Sequence, residues 1–366
     1  MTAPGEAARR RPARRPTIKD IARRAGVSES AVSFALNDRP GVSQDTRARV
    51  RRVAEELGWQ ANSAARALSG DHAGALGLVL ARPARTLGVE SFFLQLVSGI
   101  QEVLSARRIA LLFQVVEDLD AECALYRRWW AERRVDGVLV VDPRTEDPRP
   151  ELLAGLGLPA VVIGGPSAPG PGAAERTAAH PQSPPSTVWA DDSQAMARVL
   201  DHLHGLGHRR IVHVAGLPGL AHTERRIRSL RTEAARRGLD ATRVRSVTTD
   251  YSDAEGAHAT RRVLDAPEPP TAIIYDNDVM AVAGASVAAG RGIPVPDRLS
   301  IVAWDDSALC RVTHPRLTAL VRDTPGFGRL AAQELLTVLD GGPPRTVRGE
   351  QPHLEAREST GPCPGS

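Results

Sequence analysis

The sequence predicts an α/β protein: an all-α helix-turn-helix head, then a larger core of two lobes, each a doubly wound parallel sheet. Two observations carry that prediction. Between Thr17 and Gly70, three short helical patterns and a fourth helical stub follow one another in a basic segment. From Leu76 onward, short apolar runs alternate with amphipathic stretches of helix length, the order that produces parallel sheets covered by helices on both faces. A chain of 366 residues exceeds one ordinary domain, and 42% hydrophobic residues are enough to bury two or three units.

In the head, Thr17 can cap a helix whose N-terminus Asp20 favours and which Gly26 stops. Ser28 caps a second helix, ended by Asn37-Asp38 with Pro40-Gly41, and Ser43 opens a third. Two helices joined through Ala25-Gly26-Val27 form a helix-turn-helix, whose second helix enters the major groove of DNA with its first residues at the base edges. Charge supports this. Residues 1–70 hold 14 Lys and Arg against 7 Asp and Glu, so the head is +7 and, with a total of +4, the remainder is −3. Arginines that neutralise phosphates release counterions, so binding should weaken with salt at a log-log slope of about −0.9 per contact. Residues 1–16, rich in Pro and Arg, read as a disordered basic arm without the apolar run of an export signal. No stretch is long and apolar enough to span a membrane. Cys123, Cys310 and Cys363 are scattered without metal-ligand spacing, which fits a reducing compartment.

These residues resemble the lac repressor (LacI/GalR) family of bacterial transcription regulators. The matching motifs are Asp20-Ile21-Ala22, Ala25-Gly26-Val27-Ser28, Val32-Ser33-Phe34-Ala35-Leu36-Asn37 and Ala54-Glu55-Glu56-Leu57-Gly58-Trp59. The likeness continues through Asn62 to Leu68, similar to the family's hinge helix, and on to about Ser359. It implies a disordered arm over 1–16, a DNA-binding domain over 17–60, a hinge over 61–71 and a periplasmic-binding-protein-like core over 72–359. Lobe 1 is expected at about 74–165 and 305–322, and lobe 2 at about 188–303 and 323–358.

By the same resemblance, Glu29, Ser30 and Phe34 occupy base-reading positions, although familiar members carry Arg at the Phe34 place. Glu29 could accept from cytosine N4 and Phe34 touch a thymine methyl. Equally, Glu29 could serve only the helix dipole and Phe34 pack inward. Thr17, Ser28, Ser33, Asn37, Thr46 and Arg47 fit backbone-positioning roles. The hinge stub that Asn62 caps, with Ala65 and Leu68, is too short to be stable alone, so its folding should be coupled to DNA binding. The resemblance implies that Leu68 of each subunit wedges into the minor groove.

Core strands are expected at Leu76–Leu80, Ala110–Phe113, Gly137–Val141, Ala160–Ile163, Ile211–Val214, Thr271–Tyr275 and Ser300–Trp304. Such sheets place ligands at the carboxyl ends of their strands, and two facing sheets leave a cleft between them. Residues 166–186, rich in Pro, Ala, Gly and Ser, read as a flexible insertion longer than the family's usual connection. Gly164-Gly165 stand where many sugar-responsive members carry an Asp.

The segments around Arg225-Arg226, Tyr275-Asp276-Asn277-Asp278 and Val302-Ala303-Trp304-Asp305-Asp306 match the family's sensor motifs. They imply Arg226, Asn277 and Asp305 as effector-binding residues, able to meet a polar or polyhydroxylated ligand through charge-assisted hydrogen bonds. Phe92 and Phe93 could stack on that ligand. The structural alternatives are helix caps for Asn and Asp and core packing for the Phe pair.

Enzymatic readings find little support. Gly155-Leu156-Gly157-Leu158-Pro159-Ala160 imitates a dinucleotide fingerprint but falls between a helix and the next strand, the reverse of what a pyrophosphate needs. His202, His204, His208 and His213 cluster in sequence, yet intervening glycines break a ligand-bearing helix, so they read as the end of a helix and the start of a strand. No metal or cofactor is expected. The expectation is a cytoplasmic, homodimeric transcription regulator, a repressor in the family's manner, bound to a palindromic duplex operator and controlled by a small-molecule effector such as a sugar. The rival is a solute-binding protein of a transport system, which would need an export signal and no basic head.

Overall fold

The computed structural model describes residues 16–59, 72–82, 91–165 and 185–364. They form two compact units that divide between Asp71 and His72. The hinge residues Asn62, Ala65 and Leu68, the arm before Pro16 and residues 166–184 of the insertion lie outside the described residues.

In the first unit, α1 (Ile18–Ala25), α2 (Glu29–Leu36) and α3 (Gln44–Glu56) are each capped as the sequence predicts. Thr17 and Asp20 make a reciprocal capping box, and Gly26 ends α1 at φ +66°. Ser28 accepts from Ala31 N and Ser43 from Thr46 N. Ile21, Ala22, Ala25, Val32, Ala35, Val50, Val53 and Ala54 pack into one small core. Caps of this kind contribute about 1 kcal/mol each, a large share for a unit with so few apolar residues to bury.

The second unit holds two six-stranded sheets. Sheet one contains β1 (Ala75–Ala81), β2 (Ala110–Val116), β3 (Gly137–Val140), β4 (Ala160–Ile163), β5 (Ser186–Trp189) and β11 (Thr346–Arg348), in the order β11-β5-β4-β3-β1-β2 and all parallel. Sheet two contains β6 (Ile211–Ala215), β7 (Val244–Thr248), β8 (Ala272–Tyr275), β9 (Ser300–Ala303), β10 (Thr318–Val321) and β12 (His353–Glu355), in the order β12-β10-β9-β8-β6-β7. Only the β10–β12 pairing is antiparallel.

Helices α4 (Ser91–Ala106), α5 (Leu119–Ala131), α6 (Arg149–Leu156) and α12 (Thr324–Leu339) cover the first sheet. The first and last of these cross with backbones almost touching: a Cβ on Gly99 would fall 1.9 Å from Pro325 O, and one on Gly328 2.2 Å from Leu96 O. Helices α7 (Asp192–Gly205), α8 (Ala221–Arg236), α9 (Asp253–Leu264), α10 (Asp278–Gly290) and the short α11 (Ala308–Val312) belong to the second sheet.

The lobe boundaries differ from expectation. Residues 318–321, expected in lobe 1, pair with β9 in lobe 2, whereas α12 and β11, expected in lobe 2, pack and pair in lobe 1. The first crossing also comes later than residue 188, because β5 pairs with β4 before the chain leaves lobe 1. Crossings therefore lie near residues 190, 322 and 350. Ser186, read as the end of the insertion, starts that strand. The core also continues beyond Ser359: Gly361 N donates to Ser300 Oγ at 3.1 Å and Cys363 N to Leu206 O at 2.7 Å.

Candidate DNA-reading head and effector cleft

In the head, Glu29, Ser30 and Phe34 are exposed on α2, with Phe34 at 37%. The Phe34 ring rests against Gly41, so it is partly packed and partly free, between the two alternatives the sequence left open. The proposed backbone-positioning residues are also engaged with the head itself. Thr17 and Ser28 are caps, Asn37 Nδ2 donates to Ser33 Oγ at 3.5 Å, and Thr46 Oγ1 accepts from Ser43 at 3.0 Å. Arg47 binds Asp38 at 2.6 Å and Arg39 O at 2.9 Å, tying α3 to the end of α2.

The core opens a cleft between the carboxyl ends of its two sheets, part of it in contact with solvent. All five predicted sensor residues, Phe92, Phe93, Arg226, Asn277 and Asp305, line it. Strand ends deliver most of its polar groups: Arg82 follows β1, Asp142 follows β3, Asp276 follows β8, and Asp305 follows β9. Arg149, itself held by Glu122 and Asp147, donates to the carbonyls of Val141 and Asp142 at 2.9 Å and so fixes the loop that carries Asp142.

Every cleft arginine has a carboxylate. Arg82 Nε donates to Asp142 at 2.7 Å, Arg225 pairs with Asp192 at 2.7 Å, Arg226 with Asp276 at 3.1 Å, and Arg322 with Asp305. Burial works to raise the Asp276 pKa, but the charges of Arg226 and His213 outweigh it and hold the carboxyl far below the usual range. Burial likewise opposes ionisation of Asp142 and Asp192, and Arg82 and Arg226, respectively, reverse the balance. Asp278 shows the other outcome: burial dominates and its pKa rises. His222 is depressed to about 4, by burial first and then by the charge of Arg226.

Aromatic rings line the walls or pack behind them. Arg226 lies 4.4 Å over the Trp304 ring, and Arg322 lies 5.2 Å over Phe92. Phe92 and Phe93 meet edge to face at 5.3 Å. They pack on the lobe 1 core and line the cleft at once. Asn277 caps α10 through Met280 N at 2.8 Å and donates to Tyr251 O at 3.0 Å, so the helix-cap alternative describes much of its bonding. Among the described residues, Arg226 Nε, Arg322 Nε and Asp278 Oδ2 are buried without a hydrogen-bond partner, and such atoms gain from a ligand hydroxyl.

Sequence reasoning missed Arg82, Asp142, Asp192, His222, Tyr251, Asp276 and Arg322. Arg82, Asp142 and Asp276 come directly after predicted strands, where the strand-end rule could have found them. Asp192, Tyr251 and Arg322 follow strands that were not recognised. Outside the cleft, Gly157 ends α6 at φ +66°, which leaves the Gly155-to-Ala160 segment at a helix C-terminus. His202 and His204 lie in the last turn of α7, His208 bonds Thr271 and Ser300, and His213 bonds Asp276.

The comparisons with known proteins agree at both ends of the chain. Residues 17–62 match the model for bacterial regulatory proteins of the lacI family, and residues 200–360 match the periplasmic binding protein-like domain. A solved LacI family transcriptional regulator from Bifidobacterium animalis subsp. lactis is 34% identical, covering 80% of this chain and 100% of its own, with a TM-score of 0.70. The chain belongs to the LacI family. It is thus a DNA-binding transcription regulator of a non-enzymatic family, and the solute-binding alternative is not favoured. The HTH-type transcriptional regulator CelR of Thermobifida fusca is 29% identical over 94% of this chain and 98% of its own. A structure of a CelR–cellobiose complex is 27% identical, covers 94% and 100% of the two chains, and has a TM-score of 0.68. No helix among the described residues is long and apolar enough to cross a membrane.

Proposed function

We propose that this LacI family member is a cytoplasmic homodimeric repressor whose hold on a palindromic operator is set by a neutral saccharide in the core cleft. The observation that carries the effector class is charge balance. Each of the four arginines is paired with a carboxylate and a fifth carboxyl, Asp278, also lines the cleft, so an anionic ligand would find no uncompensated cation, and its own charge would have to be desolvated without repayment. A neutral polyol meets the same groups differently. Its hydroxyls both donate to the carboxylates and accept from guanidinium edges, while Phe92 and Phe93 supply flat apolar faces for sugar rings. The cellobiose complex of CelR supports this class. Arg226, Asn277 and Asp305 are the contacts we assign to the effector.

On the DNA side, we assign base reading to Glu29, Ser30 and Phe34 and backbone contact to Thr17, Ser28, Ser33, Asn37, Thr46 and Arg47. Asn62, Ala65 and Leu68 belong to the hinge in this reading. Two heads on a two-fold symmetric site are what a helix-turn-helix of this size needs for specific affinity. The test is an electrophoretic shift on DNA from the region upstream of the chain's own gene, followed by thermal-shift screening of residues 72–366 with neutral and acidic saccharides. Retarded DNA that is lost on deletion of residues 1–70, and a midpoint raised by neutral sugars alone, are expected. Binding that survives the deletion, or stabilisation confined to uronic acids or phosphates, overturns the reading.

A further inference from the structure

The two lobes meet across the cleft through contacts the protein makes by itself. Ala221 N donates to Pro143 O at 2.7 Å and Thr145 N to Gly219 O at 3.1 Å, a two-bond antiparallel bridge between the loop after β3 and the loop after β6. Arg82 spans the same gap from deeper inside. It is 7% exposed, its Nε is anchored to Asp142 of its own lobe at 2.7 Å, and its guanidinium lies 5.2 Å from the Phe93 ring and 4.8 Å from the Tyr251 ring of the other lobe.

Tyr251 is fixed to receive it. Its backbone adopts φ +71°, a conformation that an aromatic residue keeps only where its surroundings over-determine it. The hydroxyl bonds His222 Nε2 at 2.8 Å and Thr223 Oγ1 at 3.1 Å, and the ring lies on Gly216, where a Cβ would come within 1.8 Å of a ring atom. The ring therefore has little freedom to leave the guanidinium.

We propose that Arg82 is a positioning residue that clasps the lobes by stacking on Tyr251, so that the cleft is already closed when an effector reaches it. A desolvated cation over an aromatic face is strong enough to change the ratio of closed to open molecules tenfold or more. Effector affinity then falls in Arg82 variants by the fraction of molecules left open. That consequence rests on the effector reading above. Closure itself does not, since it can be read in protein free of effector.

The experiment is hydrogen–deuterium exchange of the full chain without ligand, following the amides of Thr145 and Ala221, whose bonds cross the gap. In Arg82→Met, both amides should exchange at least tenfold faster while the amides of β1 and β8 keep their protection, which separates opening from a general loss of stability. Tyr251→Phe, which keeps the ring, should preserve protection, and Tyr251→Leu should lose it. Should Arg82→Met fail to fold, that Tyr251 pair decides alone. Unchanged protection in Arg82→Met and Tyr251→Leu, or an unprotected bridge in the unmodified protein, overturns the proposal.

Discussion

The head keeps its candidate reading residues in solvent, whereas the cleft buries most of its charged residues and binds them to one another. Glu29 and Ser30 are exposed. Arg226 is 5% exposed, pairs with two carboxylates and covers an indole. The same chain thus separates the proposed base reading by Glu29 and Ser30 from stability and merges the proposed effector contacts with it. In the head, Glu29 or Ser30 can change at little cost to the fold. In the cleft, Arg226, Asn277 and Asp305, the contacts we assign to the effector, also hold up the wall.

The largest expected effect follows from that merger. Arg226→Met should destabilise the core by about 3–5 kcal/mol, because Asp276 and Asp192 are left buried without their main counter-charge. Urea unfolding of the two forms measures it, and a loss below about 1 kcal/mol would mean the cleft charges are solvated after all.

The next effect is a pH dependence confined to the core. His222 takes a proton near pH 4 in the folded state and near 6.5 in the unfolded chain, so the unfolded chain binds more protons in between. Stability should fall as pH falls from about 6.5 to about 4, by up to roughly 2–3 kcal/mol from this group. His202, His204 and His208, also lowered chiefly by burial, act with the same sign. The depressed carboxylates Asp142, Asp192 and Asp276 withdraw their support only below the ordinary carboxylate range, about pH 4. Thermal midpoints of His222→Gln across this interval should show a shallower slope than the parent, and an equal slope would remove His222 from the account.

Smaller effects belong to the head. Glu29→Gln should leave its unfolding midpoint nearly unchanged while altering discrimination at one base pair by about 1–3 kcal/mol, read by competition binding against operator variants. Uniform loss over all variants would assign Glu29 to the helix dipole instead. Ser28→Ala should cost about 1 kcal/mol of stability with little change in base preference.

Legibility in the sequence divides along the same line. The head's structure is local: Thr17, Ser28, Ser43 and Gly26 act within four residues of themselves, so their meaning stands in the string. The apolar, buried strands β1, β4 and β9 are equally plain. Strands with mixed exposure, such as β7 with Arg245 and Ser246, and the three-residue β11 and β12, carry no such signal. Missing them misplaced the lobe crossings, and with these the origin of Arg322. The pairings Arg82–Asp142 and Arg225–Asp192 join residues 60 and 33 positions apart, and only the closed sheets bring them together. Resemblance located Arg226, Asn277 and Asp305 without revealing that each is also a structural tie.

Regulation in this protein turns on whether a ligand in the cleft governs DNA binding by the head. The most direct measurement is titration of operator-bound full-length protein with cellobiose and other neutral saccharides, in parallel with Asp305→Ala. A graded change in operator affinity for the parent, with retained affinity and a blunted response for Asp305→Ala, is the predicted result. Matching dose curves for the two proteins, or an operator complex indifferent to every neutral sugar while acidic ligands dissociate it, would contradict it.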